Sequence, residues 1–334
     1  MRDLTKGRHI ITGGAGFIGS ALIWALNQKG VDNILVVDKL GSSEKYLNLV
    51  PLQFEDYLES DWLLDRIHHN ENYFADVNFV HHLGANSNTT EKDARYLIEN
   101  NFAYTKTLAW WALRKGIRFL YASSAATYGL GEQGMSDRDE RDIKRLRPLN
   151  MYAYSKQLFD QYALRYGLLE QMIGIKYFNI FGPNEYHKGD MRSMVCKAFE
   201  QIQDTGKVQL FKSHHPDYRD GEQLRDFLYV KDAVEMTIFL CAADECTGLY
   251  NIGAGQAHTW IELVAPIFEA LGTEMSVETI DMPRKLRKHY QYYTKADISK
   301  IGESGYSPKI TPLHEAVTEY VRDYLLPGKC LGDE

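Results

Sequence analysis

The stretch RHIITGGAGFIGSALIWALNQKG, residues 8–30, limits the fold of this chain more than any other segment. A short β-branched run enters four closely spaced glycines, and apolar residues then recur at Phe17, Ile18, Leu22, Ile23 and Leu26 with helical spacing. The pattern predicts a strand, a tight turn and a helix. Glycine at Gly13, Gly16 and Gly19 lets the turn close, lets backbone amides approach a pyrophosphate, and lets the helix lie close to the sheet. The next apolar run, NILVVD, ends on Asp38, about twenty residues past the glycines, where a dinucleotide fold places an acid on the adenosine ribose. Glycines alone make ordinary turns; strand, helix and acid in one register point to a dinucleotide-binding βαβ unit.

Three further runs read as parallel strands, VNFVHHLGA at 77–85, IRFLYASSA at 117–125 and MIGIKYFNI at 172–180, with helical stretches such as YTKTLAWWALRKG between them. This alternation predicts right-handed crossovers and an α/β fold, a doubly wound parallel sheet of Rossmann type. Ligands of such sheets lie beyond the carboxyl ends of the strands, so the loops GANSNTT, SSAATYG and FGPNEYHKG should converge on one cleft. No internal repeat, low-complexity tract or proline-rich linker sets off a second domain, which must therefore be interleaved with the first. The expected division is a nucleotide-binding domain of residues 1–178, about 226–256 and 308–326, and a smaller α/β substrate domain of about 179–225 and 257–307.

At 334 residues, 44% hydrophobic and 25% charged, the chain has the composition of a soluble globular enzyme. A formal net charge of −7 and a pI near 5.9 give no overall basic field for nucleic acid or an anionic membrane, and a small molecule is the expected partner. The polar opening MRDLTKGRHIITGG holds no apolar signal region, and no run reaches bilayer length. Cys196, Cys241, Cys246 and Cys330 show no redox or zinc spacing, so reduced thiols and a cytoplasmic location are expected. Paired histidines occur at His68/His69, His81/His82 and His214/His215; neighbours in a strand face opposite ways, so no metal ligand set is expected.

Tyr152 and Lys156, within PLNMYAYSKQLFDQYALRYG, stand one helical turn apart on one face. A phenol of pKa near 10 is a poor base at neutral pH, but an adjacent ammonium and an oxidised nicotinamide both favour phenolate. Lowering it by about three units corresponds to ~4 kcal/mol of electrostatic preference. Ser124, at the end of its strand, offers a hydrogen bond to the reacting oxygen and is preferred over Ser123, while Tyr154 lacks the four-residue lead over Lys156. One lysine is left over. Lys188, in YFNIFGPNEYHKG, lies in a polar loop after a buried strand, and lysines in such loops are ordinarily just solvated.

The segments TGGAGFIG, SSAATYG and YAYSK resemble the extended short-chain dehydrogenase/reductase family, whose members transform nucleotide sugars with a bound nicotinamide cofactor. YASSAATYG, FNIFGPNEYHKGDM, RDFLYVKD and YQYYTKAD, spread over most of the chain, are similar to the branch that inverts carbon 6 of ADP-glycero-manno-heptose for the lipopolysaccharide core. The resemblance implies oxidation of that carbon to a ketone and return of the same hydride to the opposite face, which demands two bases. Tyr152 would serve one epimer and Lys188 the other, with Lys156 holding the nicotinamide ribose and tuning the phenol. Cofactor contacts are implied at Gly13, Gly16, Phe17, Ile18, Gly19, Asp38, Lys39, Lys45, Leu83, Gly84, Ala85, Asn86, Ser87, Asn100, Lys156, Ile180 and Lys188. ADP-sugar contacts are implied at Ser124, Asn179, Asp190, Lys197, Phe211, Lys212, Ser213, Arg225 and Tyr290. Arg225 and the basic run PRKLRKHY also suit a diphosphate chemically. Asp190 and Lys197 depart from the serine and histidine common in the family. A homo-oligomer, a pentamer, is implied as well.

Asp38 alone favours the free ribose hydroxyl of NAD, yet Lys39 and Lys45 can neutralise a 2′-phosphate and the resemblance favours NADP. The rivals are a 4-epimerase, dehydratase or reductase of the same family, and a non-catalytic cofactor sensor. A dehydratase needs acids beside the serine, where this loop has Ala125 and Ala126; a 4-epimerase swings its sugar about one base and has no use for Lys188. A sensor has no need of the serine, tyrosine and lysine together.

Overall fold

The computed structural model describes residues 1–287, 290–307 and 309–334. Six strands, β1 (Arg8–Thr12), β2 (Ile34–Asp38), β3 (Asp56–Glu59), β4 (Val77–His82), β5 (Arg118–Ser124) and β6 (Ile173–Tyr177), join a seventh, Gly248–Ile252, in one sheet. Every neighbouring pair is parallel, in the order Gly248–Ile252, β6, β5, β4, β1, β2, β3. Every residue of β1, β2 and β6 is buried, which is why these strands read as unbroken apolar runs rather than as alternation. From β1 the chain builds outward to β3, then returns beside β1 as β4 and builds the other way. The order therefore reverses between β1 and β4, and the loops above these two strands part into a crevice.

Two strands escape the sequence pattern. β3 (DYLE) is a polar, half-exposed edge strand, and the strand GLYNI opens on Gly248 itself with no alternation to announce it. The run at 172–180 is also two strands and not one: β6 stops at Tyr177, and Asn179–Phe181 crosses to a separate two-stranded sheet with Phe227–Tyr229. The histidine pairs need a correction too. His68/His69 end a helix and His214/His215 lie in a loop; His81 and His82 alone share a strand, and they do face opposite ways, His81 toward His9 and Cys241, His82 toward Thr12 and Thr105.

Helix α1 (Phe17–Asn27) covers one face of the sheet. Residues that follow the first six strands build a second layer there: the helices Met194–Thr205 and Trp260–Leu271, the parallel pair Val208–Phe211 with Val277–Ile280, and the short antiparallel pair Leu224–Arg225 with His258–Thr259. A capping box at Thr259 and Glu262 starts the second helix. The apolar faces of these helices, with Val195, Ile202, Leu263 and Phe268, merge with Leu22, Ile23 and Val36 into one cluster.

Beneath the helix Met151–Arg165 sits a buried ion pair. Lys176 Nζ of β6 donates to Asp160 Oδ2 at 2.7 Å and to Thr127 Oγ1 at 2.6 Å, while Tyr121 and Ser123 of β5 donate to the same carboxylate. Removing one partner strands the other charge, so Lys176→Met is expected to cost about 3–5 kcal/mol in urea unfolding, and the double change Lys176→Met/Asp160→Leu less than the single one.

Candidate active site

A cavity of about 720 Å³ opens over the carboxyl ends of β1, β4 and β5. Gly13 begins its floor with a φ of +70°, and a Cβ there would meet Gly84 N at 2.7 Å. A Cβ on Gly19 would lie 2.1 Å from Gly13 O, so the turn and α1 close only on bare backbone. Gly16 caps α1 with no side chain, leaving its first amides free to face the cavity lined by Gly16, Phe17, Ile18 and Gly19. This is a cradle shaped for a pyrophosphate, and a dinucleotide fits it. Asp38 stands at its edge: Oδ2 accepts from Ala15 N at 2.9 Å, and Oδ1 accepts from Lys39 N and pairs with Lys45 Nζ, each at 2.6 Å.

Ser124 ends β5, and its neighbours Ala125 and Ala126 line the cavity with it. Asn150 caps the next helix by accepting from Ala153 N, which sets Tyr152 in the first turn and Lys156 one turn on. Tyr152 and Ser124 share the lining; burial raises the Tyr152 pKa above the ordinary phenol value and the Ser124 hydroxyl opposes that rise. Lys156 donates to Ala122 O at 2.8 Å and is pushed down to about 8 by burial, against the pull of Asp160. The Lys156 ammonium is turned onto this carbonyl, and burial is the larger of the two influences on Tyr152.

Lys188 is not a solvated loop residue. It sits in the helical turn Tyr186–Met191, half-buried, with Nζ 5.0 Å from the centre of the Phe17 ring. It makes no side-chain hydrogen bond or ion pair among the described residues. Burial lowers its pKa, Glu185 opposes this and Lys197 adds to it. An amine held this way releases a proton more readily than a surface lysine. Tyr152 and Lys188 thus reach one cavity from two separate elements.

Of the residues singled out in the sequence, the lining also includes Lys45, Leu83, Gly84, Ala85, Ser87, Asn179 and Ile180. Arg225 lies just behind it, buried, its guanidinium 5.7 Å from the Trp260 ring and 5.0 Å from that of Tyr290, whose hydroxyl accepts from Trp260 Nε1. Others are held away. Lys39 is exposed and paired with Asp61 at 2.8 Å; Lys197 is tied to the backbone of Asp190; Lys212 faces Asp281 at 3.6 Å; and Ser213 N is bonded to Asp220, with Phe211 next to it outside the lining. Asn100 is exposed and turned to Tyr96 O, whereas its neighbour Asn101 is buried and bonded to Asn86 and Ser155, because the chain makes a π-helical turn over Ile98–Ala103. Lys288 and His289 of the basic run lie outside the described residues. Sequence reasoning missed Trp260, Gln291, Thr294, Arg192 and His187, all on the lining. His187 stays neutral over the ordinary range, pushed down to about 4 by burial and then by Lys188 and Lys45. Among the described residues no three histidine, cysteine, aspartate or glutamate side chains gather as a metal site needs.

The model of the NAD dependent epimerase/dehydratase family matches residues 9–253. ADP-L-glycero-D-manno-heptose-6-epimerase of Nitratidesulfovibrio vulgaris (strain DP4) is 50% identical over 317 residues, 95% of this chain and 98% of that protein. The enzyme of the same name from Fusobacterium nucleatum is 44% identical over 325 residues, 95% and 97% of the two chains. Among solved structures, the ADP-L-glycero-D-manno-heptose-6-epimerase of Helicobacter pylori superposes with a TM-score of 0.78 at 26% identity, covering 97% of this chain and 98% of that one. A UDP-N-acetylglucosamine 4-epimerase from Methanobrevibacter ruminantium shares the fold, with a TM-score of 0.80 at 23% identity over 97% and 99% of the chains.

Asp38→Ala removes the acceptor of Ala15 N and the partner of Lys45. It is expected to leave the fold intact by circular dichroism and to reduce the nicotinamide dinucleotide retained through purification; an unchanged content excludes Asp38 from that site.

Proposed function

Because the chain belongs to the NAD dependent epimerase/dehydratase family, we propose that it inverts carbon 6 of ADP-D-glycero-D-manno-heptose through a 6-keto intermediate, giving the L-glycero epimer for the lipopolysaccharide core. The observation that carries this reading is the convergence of Tyr152 and Lys188 on one cavity, in a chain half identical to enzymes of that name. When bound, a nicotinamide dinucleotide supplies the hydride acceptor for oxidation and the donor for return, so no net redox change results.

The protein's own groups move the protons. In one direction Tyr152 takes the proton of the carbon 6 hydroxyl and Lys188, as an ammonium, gives one to the oxygen when the ketone is reduced from the opposite face; in the other direction the two exchange roles, and exchange with solvent restores their protonation. Ser124, on the same lining as Tyr152, would hold the reacting oxygen, and Lys156 would hold the nicotinamide ribose. Carbon 6 is outside the sugar ring, so rotation about one exocyclic bond turns either face to the same cofactor. Phe17, Phe178 and Ile180 keep the reacting end apolar. Asn179, Arg225 and Tyr290 take the ADP-sugar, on a substrate region made of residues 179–225 and 257–307. Ala125 and Ala126 leave no acid there for elimination.

For the cofactor we favour NADP over NAD. Lys45 already neutralises Asp38, and Lys39 is tied only to an exposed carboxylate that it can exchange for a 2′-phosphate. By the same resemblance the enzyme is assigned to the cytoplasm and to a homo-oligomer, a pentamer. No helix among the described residues is long and apolar enough to cross a membrane.

Incubation with ADP-D-glycero-D-manno-heptose should yield the L-glycero epimer. Lys188→Met or Tyr152→Phe alone should each lower kcat by about 10²- to 10⁴-fold with cofactor content unchanged. If Lys188 instead only grips the diphosphate, its loss raises KM. Cofactor released by denaturing the purified protein should be NADP, and finding NAD alone reverses that assignment.

A further inference from the structure

Lys188 owes its place to residues more than 140 positions away. The loop that carries it turns on Asn184, fully buried and with a φ of 77°, in the left-handed region. Asn184 Nδ2 donates to Ser20 Oγ of α1 at 2.9 Å, and Asn184 Oδ1 accepts from Leu331 N at 2.8 Å. Tyr186 OH donates to Lys329 O at 2.8 Å. Asn48, also buried, shares its amide hydrogens among Ala15 O at 3.0 Å, Asn184 O at 3.0 Å and His187 Nδ1 at 3.3 Å, while its own oxygen accepts from Cys330 Sγ at 3.5 Å. Three consecutive residues, Lys329, Cys330 and Leu331, therefore each hold a different part of the Lys188 turn or of the asparagine beneath it. Leu331 is fully buried in the core cluster that contains Ala15 and Leu49. On the far side Glu185 closes the loop, accepting from Ser193 and from Tyr320.

None of these bonds reaches the helix Met151–Arg165. Tyr152 is fixed separately, by the Asn150 cap and by the Asp160–Lys176 pair. We propose that Lys329–Leu331 is a strap that positions Lys188, acting on one of the two proton transfers and sparing the other. This rests on the reading of Tyr152 and Lys188 as separate bases.

The test uses three variants of the full chain, Tyr186→Phe, Leu331→Ala and a chain ending at Leu326, beside Lys188→Met and Tyr152→Phe. Two quantities are read: steady-state kinetics with cofactor content, and the ratio of carbon 6 epimers formed when a 6-keto analogue of the ADP-sugar meets the enzyme with reduced cofactor. The shortened chain should lose roughly 10- to 100-fold in kcat, with KM and cofactor content unchanged, since a displacement of about 1 Å is costly at a reacting centre. In all three strap variants the epimer ratio should shift in the direction given by Lys188→Met and opposite to that given by Tyr152→Phe. Equal loss from both faces, or a parent-like ratio in the strap variants while Lys188→Met is shifted, overturns the strap alone. A parent-like ratio in Lys188→Met overturns the two-base reading and the strap with it. If the shortened chain does not fold, the two point variants decide by the ratio.

Discussion

The site depends on how closely two backbone turns approach at the point where the sheet reverses its strand order. Gly13 follows β1 and Gly84 follows β4, and they leave no room for a Cβ between them. Thr12 at the end of β1 accepts from Gly84 N at 3.1 Å and is bonded to His82 of β4 at 2.7 Å, so both turns are pinned at one height. From there the chain is forced apart on either side, α1 leading one way and the β4 loop the other. That opening is the crevice in which a dinucleotide lies across an open α/β sheet. Ser124, Tyr152 and Lys188 reach the same crevice because β5 and β6 end beside it.

Three lysines close to this crevice show how differently one side chain is used. Lys176 is wholly buried and matched by a carboxylate, so its charge is structural. Lys156 gives its ammonium to a backbone carbonyl with Asp160 farther off, and loses part of its basicity to burial. Lys188 rests on an aromatic face with no hydrogen-bonded acceptor among the described residues. Burial lowers the basicity of both Lys156 and Lys188.

What the sequence made legible was local. The glycine turn with its acid, and the Tyr152–Lys156 turn, are set by spacings of a few residues that backbone geometry cannot evade. Contributions that depend on long-range packing were harder to read. Trp260, Gln291 and Thr294 arrive at the cavity from a layer laid over the sheet by later segments, and no short pattern marks them. Asn100 stays on the outer face, while its neighbour Asn101, in the same π-helical turn, points inward. Lys39 and Lys45 look alike in sequence, but an exposed Asp61 draws one outward while Asp38 keeps the other at the crevice. The run at 172–180 looked continuous because apolar residues carry on through Tyr177, Phe178 and Ile180 across the change of sheet.

The merged apolar cluster has a bearing on motion. Val195, Ile202, Leu263 and Phe268 of the overlying layer share one core with Leu22, Ile23 and Val36 of the nucleotide-binding layer. No seam runs between the two along which they could swing apart without wetting that core. Hinge bending of whole lobes would wet that core, whereas a shift of the exposed rim at Ser42–Glu44 uncovers little apolar surface. Movement at the lip of this crevice is thus cheaper than movement of its walls.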